Sequence, residues 1–578
     1  MSESSSLPTD VVQPVDPMAV SKKDEPVYEE VRDGWRETFE TISFVVFLVL
    51  MLKAFVAEAY VIPTGSMATT LLGDHMFLEC PRCGLKYAVN ASNGGERLEQ
   101  VQQDGGRKML RLQGCCQNCQ YVISNPAESV DGGDKVLVLK PVYDMFSPRR
   151  HDSVVFKYPL GPQKDFGAYN YIKRLWGLPG EKLAIWGGDV YLVEKVGDKE
   201  QLKIIHKAPE KMLRMRRLVN NNDLINPTFN PSLNTSWQPL SEKLEAPVAG
   251  AAAWVPVDHG KIWEGKSKAE GMQWLRYQHQ FQPVKTGGIP LGNPPVDGPH
   301  LITNYMAYNH TEDQFQYSGI DWVGDLMIEA EVDVQESKGQ LVLQLNKGVI
   351  TAEARFDLAT GKCTVALMKN GKEISKHDAS TSLNSKSKHL VRFANFDQRL
   401  TLWVGSTLVF GDGIEYADLS DEERGPRLAD LLPASIGVNQ ANVVVRKISL
   451  WRDIYYSQDP QLRDATVGAE ALAVSKQEFR ELAGKGELST IRRNAWMPYY
   501  PSVVRMGEYT GGMKTPAFYP KVDATHPSDH FNADEYFMLG DNSLASQDSR
   551  YWGQVPQRML LGQAIWVYWP FRNFASIR

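Results

Sequence analysis

Cysteine is scarce in this chain of 578 residues: six in all, too few to staple a scaffold of this size with disulfides. Basic charge is not in excess either. Lys and Arg number 63 against 69 Asp and Glu, a formal net charge of −6, which argues against a generic nucleic-acid binder carrying a basic patch or stripe. What remains is the composition of a folded protein, 43% hydrophobic and 23% charged with 14 Trp. The length predicts about three or four domains. Five of the six cysteines fall between Cys80 and Cys119, which points to one local site.

The opening residues, 1–38, mix Ser, Pro and charge with little aromatic content and read as a disordered cytoplasmic tail. From Thr41 the chain becomes TISFVVFLVLMLKAFVAEAYVI. A spanning helix needs roughly 20 mostly apolar residues, and residues 39–60 supply them if Lys53 and Glu58 reach the interface. A buried core helix is one alternative. A cleaved signal peptide ending at Ala57-Glu58-Ala59 is another, but the long tail ahead of it disfavours that reading. Lys22, Lys23, Arg32 and Arg36 precede the segment and no Lys or Arg follows it until Arg82. The positive-inside rule then places the N-terminus in the cytoplasm and the rest outside.

Directly after this segment comes AYVIPTGSMATTLL, with Ser66 in a tight turn. Alone, such a serine is usually solvated or caps a helix. A base is needed, and YNYIKRLWGLPGEK supplies Lys173 among apolar neighbours. Burial disfavours the charged ammonium and depresses its pKa from about 10.4, so a neutral amine can take a hydroxyl proton. A strand-edge surface lysine is the bland alternative. A third stretch, YFMLGDNSLASQDSRYWGQVP, is dense in Gly, Asp, Asn, Ser and Arg.

Together these stretches resemble the type I signal peptidases, membrane-anchored Ser–Lys proteases. The matching motifs are IPTGSM (Ile62–Met67), DSVVFKYP (Asp152–Pro159), YIKRLWGLPGEK around Lys173, and GDNSLASQDSRYWG (Gly540–Gly553), in the family's order. The resemblance implies that Ser66 is the nucleophile and Lys173 the general base. It implies an oxyanion hole built from the Ser66 backbone N–H and a hydroxyl two residues earlier, here Thr64 where the family commonly has Ser. It also implies that Ser546 orients the lysine, that Asp548 and Arg550 form a supporting ion pair, and that Asp541 sits in the GDN turn. None of the 11 histidines lies in these boxes. The implied activity is removal of signal peptides from preproteins after small residues, A-x-A, at the outer membrane surface, with no cofactor in the chemistry.

Two insertions interrupt that pattern. CPRCG (Cys80–Gly84) and CCQNC (Cys115–Cys119) are two C-x-x-C knuckles whose spacing suits a four-thiolate zinc site of Cys80, Cys83, Cys116 and Cys119, with Cys115 spare. Disulfides are the alternative that an oxidising exterior favours. From Leu301 to Tyr456 short alternating runs, with Asn370-Gly371 as a hairpin turn, predict a β-sandwich resembling concanavalin-like or laminin-G-like folds.

The expected fold class is therefore mostly β. A discontinuous signal-peptidase-type core (61–79, 123–190 and 531–578) stands behind one transmembrane helix (39–60). A zinc ribbon (80–122), an insertion and linker (191–299), the sandwich (300–456) and a helical return segment (457–530) interrupt it. Signal peptides and the lipid bilayer are the expected partners, nucleic acid is not, and the sandwich is free to take a glycan or protein ligand. The rival reading is a surface binding module with a vestigial protease core; the intact Ser66, Lys173 and Ser546 argue against it.

Overall fold

A computed structural model describes residues 34–93, 96–97, 113–119, 121–124, 129–160, 170–224, 236–240, 253–268, 270–279, 299, 301–309, 321–384, 388–420, 423–458, 516–524 and 526–577. The linker expected at Gly287–Pro299, the helical piece at Asp464–Gly486 and residues 1–33 of the tail lie outside these residues, apart from Pro299. The chain forms two compact units, one ending at Phe55 and one running from Val56 to Arg578.

The first unit contains the helix Gly34–Phe55, GWRETFETISFVVFLVLMLKAF. Among the described residues no helix is long and apolar enough to cross a membrane. The uncharged run inside this helix, Thr41 to Leu52, rises only about 18 Å, short of the ~30 Å hydrocarbon core. The expected span of 39–60 is thus corrected at both ends. The helix starts earlier and stops at Phe55, and Ala57–Val61 is instead a β-strand paired with Lys135–Leu139.

That strand opens the eight-stranded sheet of the second unit. Its order is Ala57–Val61, Lys135–Leu139, Leu560–Trp569, Ser153–Lys157, Asn170–Gly177, Glu535–Leu539 and Val555–Pro556, with Ala575–Ser576 beside Leu560–Trp569. Every pairing is antiparallel. The continuously buried strands Ser153–Lys157 and Asn170–Gly177 form its middle, packed on both faces. This sheet draws residues from both ends of the chain, as a discontinuous core requires. A second sheet of four strands, Lys199–Ile204, Asp189–Val196, Leu183–Trp186 and Ala517–Tyr519, adjoins it in sequence.

The sandwich is larger than expected. Its sheets have nine and seven strands, and they recruit Arg217–Asn221, Trp237–Leu240, Trp254–Val257, Ile262–Lys266 and Gln273–Tyr277. The boundary expected at residue 300 therefore falls inside the sandwich, and most of the described part of 191–299 is not a separate insertion. Apart from Ile262–Lys266, these strands lack the clean alternation that marks Ile350–Asp357, where Ile350, Ala352, Ala354 and Phe356 point into the core. The predicted hairpin holds: Asn370 (φ 50°) and Gly371 (φ 77°) turn the chain between Lys362–Lys369 and Lys372–Ser380. Two residues at positive φ are what a type I′ turn demands.

Candidate active site

Ser66 sits in a single 3-10 turn, Gly65–Met67, directly after the first core strand. Met67, Ala68, Leu71 and Leu72 are buried and fasten this turn to the core. Lys173 comes from the middle of the central strand Asn170–Gly177, which puts its side chain at a fixed height above the sheet. Its Nζ donates to Ser66 Oγ, so the two candidate catalytic side chains, 107 positions apart in sequence, meet. The lysine is 1% exposed, and burial lowers its pKa from 10.5 to about 8, against the opposing pull of Asp548. An amine so placed is deprotonated at mildly alkaline pH and is competent to accept the serine proton.

The rest of the site is a scaffold of buried charge. Asp541 binds Arg174 through both oxygens, Nε to Oδ1 at 2.7 Å, and accepts from Thr70 Oγ1 at 2.6 Å. Burial alone would raise the Asp541 pKa, but Arg174 and Arg217 more than offset it and hold the carboxylate below its usual value. Asp548 and Arg550 make the expected pair, Nη2 to Oδ2 at 2.7 Å and Nε to Oδ1 at 2.9 Å. Asp548 also accepts the Gly540 N–H at 2.9 Å and caps the helix Ser549–Trp552. Arg550 then ties Ser457 and Ser543 through hydrogen bonds of 2.7 to 3.0 Å.

One expectation meets a different geometry. Ser546 lies beside Ser66, since a Cβ on Gly540 would collide with both Ser546 Oγ and the Ser66 carbonyl. Its hydroxyl is buried and makes no hydrogen bond among the described residues, so the expected bond to Lys173 is not formed here. Thr64 is extended (φ −120°, ψ 155°) and half-buried, and its hydroxyl caps nothing. The four knuckle cysteines do converge: their sulfurs lie within 4.8 Å of one another.

Arg174 and Thr70 escaped the sequence reading as site residues, and three more join them. Asn542 Nδ2 donates to the Gly65 carbonyl at 2.9 Å, and its backbone N–H donates to the Ser66 carbonyl at 3.1 Å. Asn309 exchanges two 2.7 Å hydrogen bonds with the Asn542 amide. Arg217 Nη2 donates to the carbonyls of Ala68 at 3.2 Å and Asp541 at 3.3 Å. Asn542 lies inside the GDN motif, which is the signal that could have found it. Asn309 and Arg217 belong to no motif.

Comparison with known proteins bears on this geometry. Residues 110–236 and 505–569, about a third of the chain, match the family model described as signal peptidase, peptidase S26. Those stretches contain Lys173, Asp541, Ser546, Asp548 and Arg550; Ser66 precedes them. The chain is similar to signal peptidases. Signal peptidase I of Rickettsia typhi is 26% identical over 161 residues, which is 28% of this chain and 44% of that protein. Mitochondrial inner membrane protease subunit 1 of Mus musculus is 36% identical over 64 residues, 10% of this chain and 39% of that protein. The chain spans no more than about half the length of the curated relatives it matches, 54% for signal peptidase I of Rickettsia canadensis. Among solved structures, a carbohydrate-binding module from Bacillus subtilis covers 37% of this chain and 95% of its own at 12% identity, with a TM-score of 0.22. At that score it carries no argument about the sandwich. The sequence matches support a peptidase of the signal peptidase type.

Proposed function

We propose that the protein is a serine endopeptidase that removes N-terminal signal peptides from secreted preproteins after small residues, A-x-A. The observation that carries this reading is the contact between the buried Lys173 amine and Ser66 Oγ. Lys173 takes the hydroxyl proton as Ser66 attacks the scissile carbonyl, and returns it to the leaving amine as the acyl-enzyme forms. The Ser66 N–H and the Thr64 hydroxyl stabilise the developing oxyanion, with one donor worth about 3–4 kcal/mol of barrier. Water then releases the acyl group by the same proton path in reverse. No metal or cofactor takes part in the proposed chemistry.

The proposed site of action is the surface of the cell membrane. Two apolar surfaces support it. The helix Gly34–Phe55 exposes Phe39, Phe44, Phe47 and Leu50 by 59% or more. Independently, the core sheet ends in an exposed rim of Trp566, Trp569, Phe571 and Phe574, between 45% and 74% exposed. Exposed apolar surface of this kind marks a membrane or protein contact. The test is incubation of a preprotein with the purified full chain and with Ser66→Ala. The wild type should produce one new N-terminus following an A-x-A sequence, and Ser66→Ala should produce none. Equal cleavage by both would discard the assignment.

A further inference from the structure

The cysteine knuckles and the nucleophile turn are physically continuous. Cys80–Gly84 is the turn of a hairpin between His75–Glu79 and Lys86–Asn90, closed by Gly84 N–H to Cys80 O at 2.7 Å and Cys80 N–H to Leu85 O at 2.9 Å. The second knuckle folds back in a like manner, Cys116 N–H to Tyr121 O at 2.9 Å. Cys80, Cys83 and Cys116 are buried and Cys119 is half-buried. Across the knuckles, Cys80 Sγ lies 3.5 Å from Cys119 Sγ and Cys83 Sγ lies 3.6 Å from Cys116 Sγ. A disulfide would bring a pair to about 2.05 Å. Four thiolates about 2.3 Å from a tetrahedral zinc stand about 3.8 Å apart. The observed spacing is close to the second figure and far from the first.

From this cluster two routes lead to Ser66. In the first, Tyr305 and Ala307 pack with Cys80, Cys83 and Cys116 in one hydrophobic cluster. The same short segment then places Tyr308 against Gly65, where any Cβ would overlap the ring, and hands Asn309 to Asn542, which holds the Gly65 and Ser66 carbonyls. In the second, Asn118, between Cys116 and Cys119, accepts from Asn221 N–H at 2.6 Å and Asn220 Nδ2 at 3.2 Å. Arg217 on that same strand grips the Ala68 and Asp541 carbonyls.

We propose that Cys80, Cys83, Cys116 and Cys119 hold one structural zinc ion, and that the zinc-bound knuckles position the Ser66 turn through Tyr305–Asn309 and Arg217–Asn221. Four protein thiolates fill the tetrahedron and leave no coordination position for a reacting water, so the ion acts through position and not as a Lewis acid. The bracing half of the proposal rests on Ser66 as the nucleophile; the zinc half does not.

The experiment uses the full chain. Elemental analysis of the wild type should find about one zinc per chain, with the four knuckle thiols released for titration only on denaturation or chelation. Cys119→Ser should lose that zinc and about 100-fold in kcat, the scale of a misplacement near 1 Å, with KM little changed. Cys119→His preserves four ligands and should restore both zinc and kcat. Asn309→Ala should keep the zinc and still lose kcat. Wild-type protein with iron, with four free thiols, or with the cysteines oxidised in pairs would overturn the metal site. Zinc-free Cys119→Ser with wild-type kcat, or zinc-loaded Asn309→Ala with wild-type kcat, would overturn the bracing.

Discussion

At the scale of single residues, holding a proton on the buried Lys173 is costly. The unfolded lysine titrates near 10.5 and the buried one near 8. Between those values the unfolded chain binds more protons, so the stability contribution of this group rises with pH across that window, and the penalty is full below about pH 8. Lys173→Met keeps the shape and removes the charge. It should raise stability at pH 7 by on the order of 3 kcal/mol, and the gain should shrink as pH climbs from about 8 toward 10.5. Denaturant melts at pH 7 and pH 10 check this; an equal gain at both would show that packing, not charge, is responsible. Thr64 offers a second test. Thr64→Val removes the hydroxyl at constant shape and should cost about 100- to 1000-fold in kcat, whereas Thr64→Ser should retain most of it. Equal kcat in the valine and serine variants would remove Thr64 from the oxyanion hole.

At the scale of elements, the leading helix and the strand after it divide what the sequence presents as one apolar run. Thr41–Ile62 looks continuous because strand and helix are both apolar here, and periodicity alone does not separate them. The structure breaks the run at Phe55, and Ala57–Val61 pairs with Lys135–Leu139 in the core sheet. If the helix is what holds the protein to lipid, charges on its exposed surface should release it. Leu48→Lys combined with Leu52→Lys should shift the full chain from vesicle pellet to supernatant on co-sedimentation, because membrane affinity follows buried apolar area, while cleavage of a soluble peptide stays within about twofold. Unchanged co-sedimentation would transfer the membrane contact to the rim around Trp569. Other elements were legible. Asn370-Gly371 carries its turn chemistry openly, and Ile350–Asp357 alternates. Arg217–Asn221 and Trp237–Leu240 do not announce themselves, because short strands flanked by loops show too few periods to be read.

At the scale of the whole molecule, the protease motifs were readable because each brings its own local chemistry, and the pairs they predict, Ser66 with Lys173 and Asp548 with Arg550, do meet. The role of the insertions was not readable. Asn309 and Arg217 reach the Ser66 turn from segments more than a hundred residues away in sequence, and no motif marks an asparagine or arginine that acts through a carbonyl. The segment Tyr305–Asn309 and the sandwich strand Arg217–Asn221 thus both reach the Ser66 turn directly. Arg452, on the sandwich strand Asn442–Arg452, donates to the carbonyls of Asn304 and Tyr305 at 3.0 and 2.8 Å and completes that connection.

The most direct measurement of the central claim is the pH profile of kcat/KM on a preprotein-derived peptide ending its leaving segment in A-x-A. If neutral Lys173 is the base, activity is lost as the free lysine is protonated. The rising limb should then fall near pH 8 and survive every single His→Ala change, while Lys173→Arg should abolish activity because arginine stays protonated. A rising limb near pH 6.5 that one His→Ala change removes together with activity, or a Lys173→Arg protein that still turns over, would contradict the Ser–Lys account.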